Sequence, residues 1–208
     1  MIEELIIRTL CDTLPAAPAD GHFLYGQTPD NEASVFAAAH QLLAREQPGR
    51  ILFLDTDPMS GYGGFRNWRE KLLDQGIPDD SLVPVPPVPR DTGILHTLIE
   101  AQSVVALARE RRFKSLVVTA APFQQPRAFM TAVTVALQQY PALRIYSCPG
   151  QAMPWQEEVV HSQGTVSGTR AALIAGEVER IRLYQAKGDL ASVPDVLQYL
   201  NRRDKGLL

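Results

Sequence analysis

Residues 116–127, LVVTAAPFQQPR, decide the fold. Leu116-Val117-Val118 is a β-branched apolar run that continues through Thr119-Ala120-Ala121, the pattern of a strand buried on both faces. Pro126 then suits the first turn of a helix, where its missing N–H costs nothing. A buried strand feeding directly into a helix is the repeating unit of a parallel α/β sheet.

The alternation recurs on both sides of this stretch. His22-Phe23-Leu24-Tyr25 ends at Gly26-Gln27 and leads to a helix over about residues 31–46. Ile51-Leu52-Phe53-Leu54 ends at Asp55-Thr56-Asp57, and a helix over 65–75 follows, stopped by Gly76. Leu82 to Pro86 makes a poor strand because prolines donate no ladder bond, which predicts an edge position. A helix over 93–111 carries Ile94, Leu98, Ala101, Val105 and Ala108 at four- and three-residue spacing. After the 125–139 helix comes a fifth strand, Leu143 to Ser147. The N-terminus, MIEELIIRTLCDTL, reads as an amphipathic helix. Residues 149–168 read as irregular, and two helices, 168–187 and 193–203, flank Gly188-Asp189. These elements predict an α/β fold: a Rossmann-like, doubly wound, mainly parallel five-stranded sheet, in an order such as 3-2-1-4-5, with additional C-terminal helices; a different strand order would move the cleft derived from it. No linker or repeat divides the chain, so residues 1–208 read as a single domain, with 22–150 as its α/β core.

Composition narrows the function classes. The 208 residues are 45% hydrophobic, and 20 basic against 23 acidic side chains leave a net charge of −3. That suits one domain with an adequate core and argues against a nucleic-acid polymer as partner, because phosphate neutralisation needs excess Lys and Arg. Cys11 and Cys148 cannot alone form a disulfide scaffold or a zinc site. The four histidines show no metal-ligand spacing, so no metal is expected. No apolar run reaches the roughly 20 residues that span a bilayer, and Glu3 and Glu4 stand where a signal peptide would be basic. The expectation is a cytoplasmic protein without membrane attachment.

In the 3-2-1-4-5 order, ligands bind beyond the carboxyl ends of the strands where the winding reverses, between strands 1 and 4. Gly26, Gln27, Asp55 and Thr119 would then line one cleft. Arg127 at a helix start offers charge and a planar fork of donors to an anion, and its loss is expected to weaken anion binding without unfolding the chain. Its plain alternative is a surface ion pair. Thr97 and Glu100 are spaced as a capping box; beside the cleft they, with His96, could instead orient a ligand or move a proton, which makes Glu100 and His96 the catalytic candidates. Asp55 and Asp57 could hold Mg²⁺ or a ribose hydroxyl, or simply solvate their loop. Gly61-Tyr62-Gly63-Gly64 lacks the third glycine of a dinucleotide fingerprint and reads as a flexible linker or lid. Asp30-Asn31-Glu32 reads as helix capping, and Trp68 and Trp155 as packing residues.

Two stretches, NWREKLLDQGIPDDSLVPVP and HTLIEAQSVVALARERRFKSLVVTAAPFQQPRAFMT, resemble the YdcF-like family, a domain of unknown function related to SanA and ElyC. The resemblance rests on Gly26; Glu70 with Gly76-Ile77-Pro78; Thr97 with Glu100-Ala101; and Val118-Thr119 with Arg127-Ala128, and covers residues 22–150. It implies a Rossmann-like fold and a nucleotide or S-adenosylmethionine-like ligand, with no established reaction. It adds Glu70 and Gln124 to the candidate ligand-binding residues. Gln124 stands where the family usually has His, and a neutral amide cannot shuttle a proton near pH 7. The envelope branch of the family carries membrane anchors; none is visible here, which points to the soluble branch. The leading expectation is a small anionic or nucleotide-type metabolite in the cleft. The competing one is an interaction or scaffold protein with a vestigial cleft, and a homo-oligomer fits either.

Overall fold

A computed structural model describes residues 1–45, 49–161 and 164–208. Five short strands, β1 (Gly21–Leu24), β2 (Ile51–Leu54), β3 (Leu82–Val85), β4 (Ser115–Thr119) and β5 (Arg144–Ser147), form an all-parallel sheet in the order β3-β2-β1-β4-β5. This is the Rossmann-like α/β arrangement read from the apolar runs. β1, β2 and β4 are buried along their whole length, which is why they show continuous apolar character instead of alternation. β3 is an edge strand, where Pro84, opposite Phe53, faces solvent and breaks no inner ladder.

The helices are α1 (Ile2–Leu10), α2 (Pro29–Leu43), α3 (Gly64–Asp74), α4 (Thr97–Glu110), α5 (Gln125–Gln139), α6 (Arg170–Lys187) and α7 (Val193–Asp204). On one face α2 and α3 meet through the edge-on rings of Phe36 and Trp68. On the other, α4 packs along α5, and α1, α6 and α7 also lie against α5. Every residue of α5 from Gln125 to Ala136 is therefore buried. One apolar cluster runs from Leu5 through the strands to Leu200, so the C-terminal helices share the core of the sheet. The stop at Gly76 is a left-handed C-cap, φ 87°, with Ile77 N–H donating to Leu72 O at 3.0 Å. α2 ends at Leu43, where the Ala44 N–H donates to His40 O, short of the expected residue 46, which lies outside the described residues.

Three local readings are corrected. The span 149–168 is not irregular throughout: β6 (Glu158–His161) pairs antiparallel with β7 (Val166–Thr169). The glycine-rich stretch is a tight turn instead of a linker or lid. Met59 and Tyr62 exchange backbone bonds around Ser60 and Gly61, both at positive φ, and Tyr62 Oη donates to Leu54 O at 2.9 Å. Trp68 is fully buried, but Trp155 is 39% exposed.

Candidate functional site

A pocket of about 80 Å³ opens where β1 and β4 diverge, at the carboxyl end of the sheet. Its wall combines Gly26 and Gln27 after β1, Ser60 and Tyr62 from the tight turn, His96, Thr97 and Glu100 from the start of α4, and Gln124 and Arg127 from the start of α5. Thr28 and Leu95 add to it, and three further residues come from outside the α/β core: His161 of β6, and Arg180 and Tyr184 of α6.

On the β1 side the governing contact is between Gly26 and Glu100. The Gly26 N–H donates to Glu100 Oε1 at 2.6 Å. A Cβ on residue 26 would stand 3.2 Å from that oxygen and from the Tyr62 ring, so a larger residue would press Glu100 or Tyr62 back by a few tenths of an ångström. Burial raises the Glu100 pKa; the Gly26 hydrogen bond and the Arg127 charge pull it back only part-way, to about 8. Glu100 thus keeps its proton at neutral pH. Beside it, Gln27 Nε2 donates to Gln124 Oε1 at 2.9 Å, while Gln27 Oε1 is buried without a partner among the described residues.

Opposite lies a charged cluster around Glu177 of α6. Arg127 Nε donates to Glu177 Oε2 at 2.5 Å, Arg180 Nη1 to Oε1 at 2.5 Å, and His161 Nε2 lies 3.1 Å from Oε1. Burial alone would raise the Glu177 pKa, but the Arg127 charge and the His161 and Arg127 hydrogen bonds outweigh it and hold it at about 2. Arg127 also donates to Thr97 Oγ1 at 2.9 Å. His161 is held in place by the start of α2. Thr28 Oγ1 donates to Val160 O at 2.6 Å, Asp30 Oδ2 accepts from Val160 N–H at 2.7 Å, and Arg170 Nε donates to Asn31 Oδ1 at 2.9 Å. Asp30 and Asn31 therefore anchor the β6 strand instead of capping α2.

The structure brings Gly26, Gln27, His96, Thr97, Glu100, Gln124 and Arg127 into one pocket and leaves three candidates outside it. Asp55 follows β2 into a separate exposed hollow with Asp57, Arg66 and Arg90. Glu70 is exposed on α3, away from the pocket wall. Thr119 is fully buried beneath it, donating to Cys148 O at 2.5 Å and 2.7 Å from His22 Nε2. Burial lowers the His22 pKa to about 3, so this pair is a neutral bond between β1 and β4.

The expected capping box does not form. His96 is the N-cap, its Nδ1 accepting from Ile99 N–H at 3.4 Å, while Thr97 and Glu100 turn their oxygens to Arg127 and Gly26. Burial, then the Arg127 charge, lowers the His96 pKa, so this ring is neutral at pH 7. The start of α5 offers an anion less than its sequence suggests: the Gln124 and Gln125 amides both donate to Ala121 O, and Pro126 has none. Nor is Arg127 a surface residue with a free charge. It is 8% exposed and is the buried partner of Glu177, so replacing it also disturbs the fold.

His161, Glu177 and Arg180 were not found by sequence reasoning. Their separation from β4 is long, and only the packing of α6 on α5 unites them. No family model, curated protein or solved structure matches the chain. Among the described residues no group of three or more His, Cys, Asp or Glu is placed to hold a metal ion, and no helix is long and apolar enough to cross a membrane.

Proposed function

We propose that this chain is a cytoplasmic, YdcF-like α/β protein that binds a small anionic metabolite in the β1/β4 pocket. The observation that carries the reading is the charge balance of the pocket wall. Arg127 and Arg180 supply two positive charges, Glu177 removes one, and Glu100 and His96 are neutral at pH 7. One positive charge is left over, in a recess where water screens it less than at the surface. With Oε1 held by Gly26, Glu100 has Oε2 left to carry its proton, as a hydrogen-bond donor to the anion and an acid positioned for proton transfer. The unpartnered Gln27 Oε1 calls for a ligand donor, such as a hydroxyl. A vestigial cleft in a scaffold protein accounts less well for a buried acid and a surplus cation kept on one wall.

Arg180 is the residue to test, because its side chain is 23% exposed and Arg127 still pairs Glu177 without it. Calorimetric titration with inorganic phosphate and with acetate should show binding of at least one of them, weakened about tenfold by Arg180→Ala. Equal affinities of the two proteins would remove the arginine cluster from the binding site.

A further inference from the structure

A second, half-open chamber of about 310 Å³ adjoins the inner pocket and shares His96, Thr97, Arg127 and Tyr184 with it. Its other lining is Leu98, Thr131, Leu190 and Asp189. Resting on the anion-binding reading, we infer that the ligand has a single compact anionic head, seated in the inner pocket, and an apolar or ring-shaped body, seated in this chamber. Polyphosphates are outside this class, whereas a nucleotide-type ligand with one phosphate is inside it.

Three observations converge. The inner pocket, at about 80 Å³, is the smaller of the two and its polar wall suits a compact anionic head. The Arg127, Arg180 and Glu177 cluster leaves one positive charge over, which favours one anionic group over a chain of several. Among the described residues the outer chamber has no cation except the shared Arg127. Leu98 and Leu190 give it apolar surface and Tyr184 an aromatic one, while the Thr131 hydroxyl is already used, donating to Arg127 O at 2.8 Å. Asp189, exposed between α6 and α7, adds a negative charge on that side. A second phosphate leaving the inner pocket in this direction meets a carboxylate, an element that selects against polyanions. An aryl or alkyl body gains from leaving water there.

The test compares two matched pairs on the full chain by calorimetry at pH 7: inorganic phosphate with phenyl phosphate, and acetate with phenylacetate, with inorganic triphosphate as the polyanion. The pairs identify which head the pocket takes. In the pair that binds, the phenyl member should bind at least about tenfold tighter, as expected for burying one ring, and triphosphate should bind no tighter than phosphate. A bound head with no gain from the phenyl group overturns this inference and leaves the anion reading standing, as does triphosphate binding tighter than phosphate. Absence of binding by every probe overturns both. Leu98→Trp, which narrows the chamber, should bring the phenyl preference down to about twofold or less. An unchanged preference in that variant, with its melting temperature retained, would assign the ring to another surface.

Discussion

Glu100 and Glu177 line or flank the same pocket, are equally buried at 3% and 2% exposure, and yet have opposite charge at neutral pH. The difference lies in their partners. Glu100 receives a backbone N–H and feels Arg127 from a distance, which is too little to offset desolvation. Glu177 is bonded to two guanidinium groups and an imidazole, and these do offset it. One wall of the pocket therefore stores a proton while the other stores a buried ion pair. A site built this way can meet an anion with a donor on one side and a cation on the other, without having to assemble either when the ligand arrives.

The comparison breaks most visibly at Glu177. Glu177→Gln leaves the Arg127 guanidinium buried without its countercharge, and urea denaturation should show a loss of about 3–5 kcal/mol. Adding Arg127→Met should recover part of that loss, because the orphaned charge is then gone. A loss under 1 kcal/mol in the single variant would mean that the cluster is solvated and that the two glutamates differ less than their surroundings suggest.

Glu100 gives the next largest effect, and its sign is opposite to that of an ordinary paired carboxylate. Its folded pKa of about 8 lies above the ordinary 4.5. The native state therefore holds the extra proton between these values, and stability falls as pH rises across that window. The expected decline from pH 5 to pH 8 is on the order of 3 kcal/mol from this group, and Glu100→Gln should flatten it. Glu177, with a folded pKa of about 2, acts in the other window, its contribution being lost as pH falls from 4.5 through 2. Parallel pH profiles for Glu100→Gln and the unaltered chain between pH 5 and pH 8 would show that Glu100 ionises normally.

These two residues also mark how far the sequence can be read. The sheet was legible because β1, β2 and β4 are written as unbroken apolar runs alternating with helices, a pattern compatible with the 3-2-1-4-5 order observed and with other doubly wound orders. The 3-2-1-4-5 order brings Gly26, Gln27, Thr97, Glu100 and Arg127 to one place, joined there by Gln124, which only the family resemblance singles out. It overreached at Asp55 and Thr119: one is turned into a separate hollow, and the other is buried in bonds between strands. Spacing alone makes Thr97 and Glu100 a capping box, because no local rule reveals that Gly26, 74 residues away, takes the carboxylate. Glu177 lies on a C-terminal helix, outside the segments from which the cleft was read. Its burial comes from α6 meeting α5, a tertiary contact between segments 50 residues apart. Charge partners across such distances set the protonation state of the site, and they leave no periodic trace in the chain.

The smallest effect sharpens the comparison by removing burial while keeping the geometry. Arg69 and Asp79 make a two-bond pair, with Nε to Oδ1 at 2.8 Å and Nη2 to Oδ2 at 2.6 Å, as well formed as the contact of Arg127 with Glu177. Both side chains stand in water, however, 38% and 59% exposed. Water and salt screen the attraction, and each free residue is well hydrated, so breaking the pair leaves no orphaned charge. Arg69→Ala should change the urea unfolding free energy by only about 0.5 kcal/mol or less. A loss approaching that of Glu177→Gln would show that pair geometry, and not desolvation, sets the strength of ion pairs in this protein. The contrast drawn between the two walls of the pocket would then have to be rebuilt on distances alone.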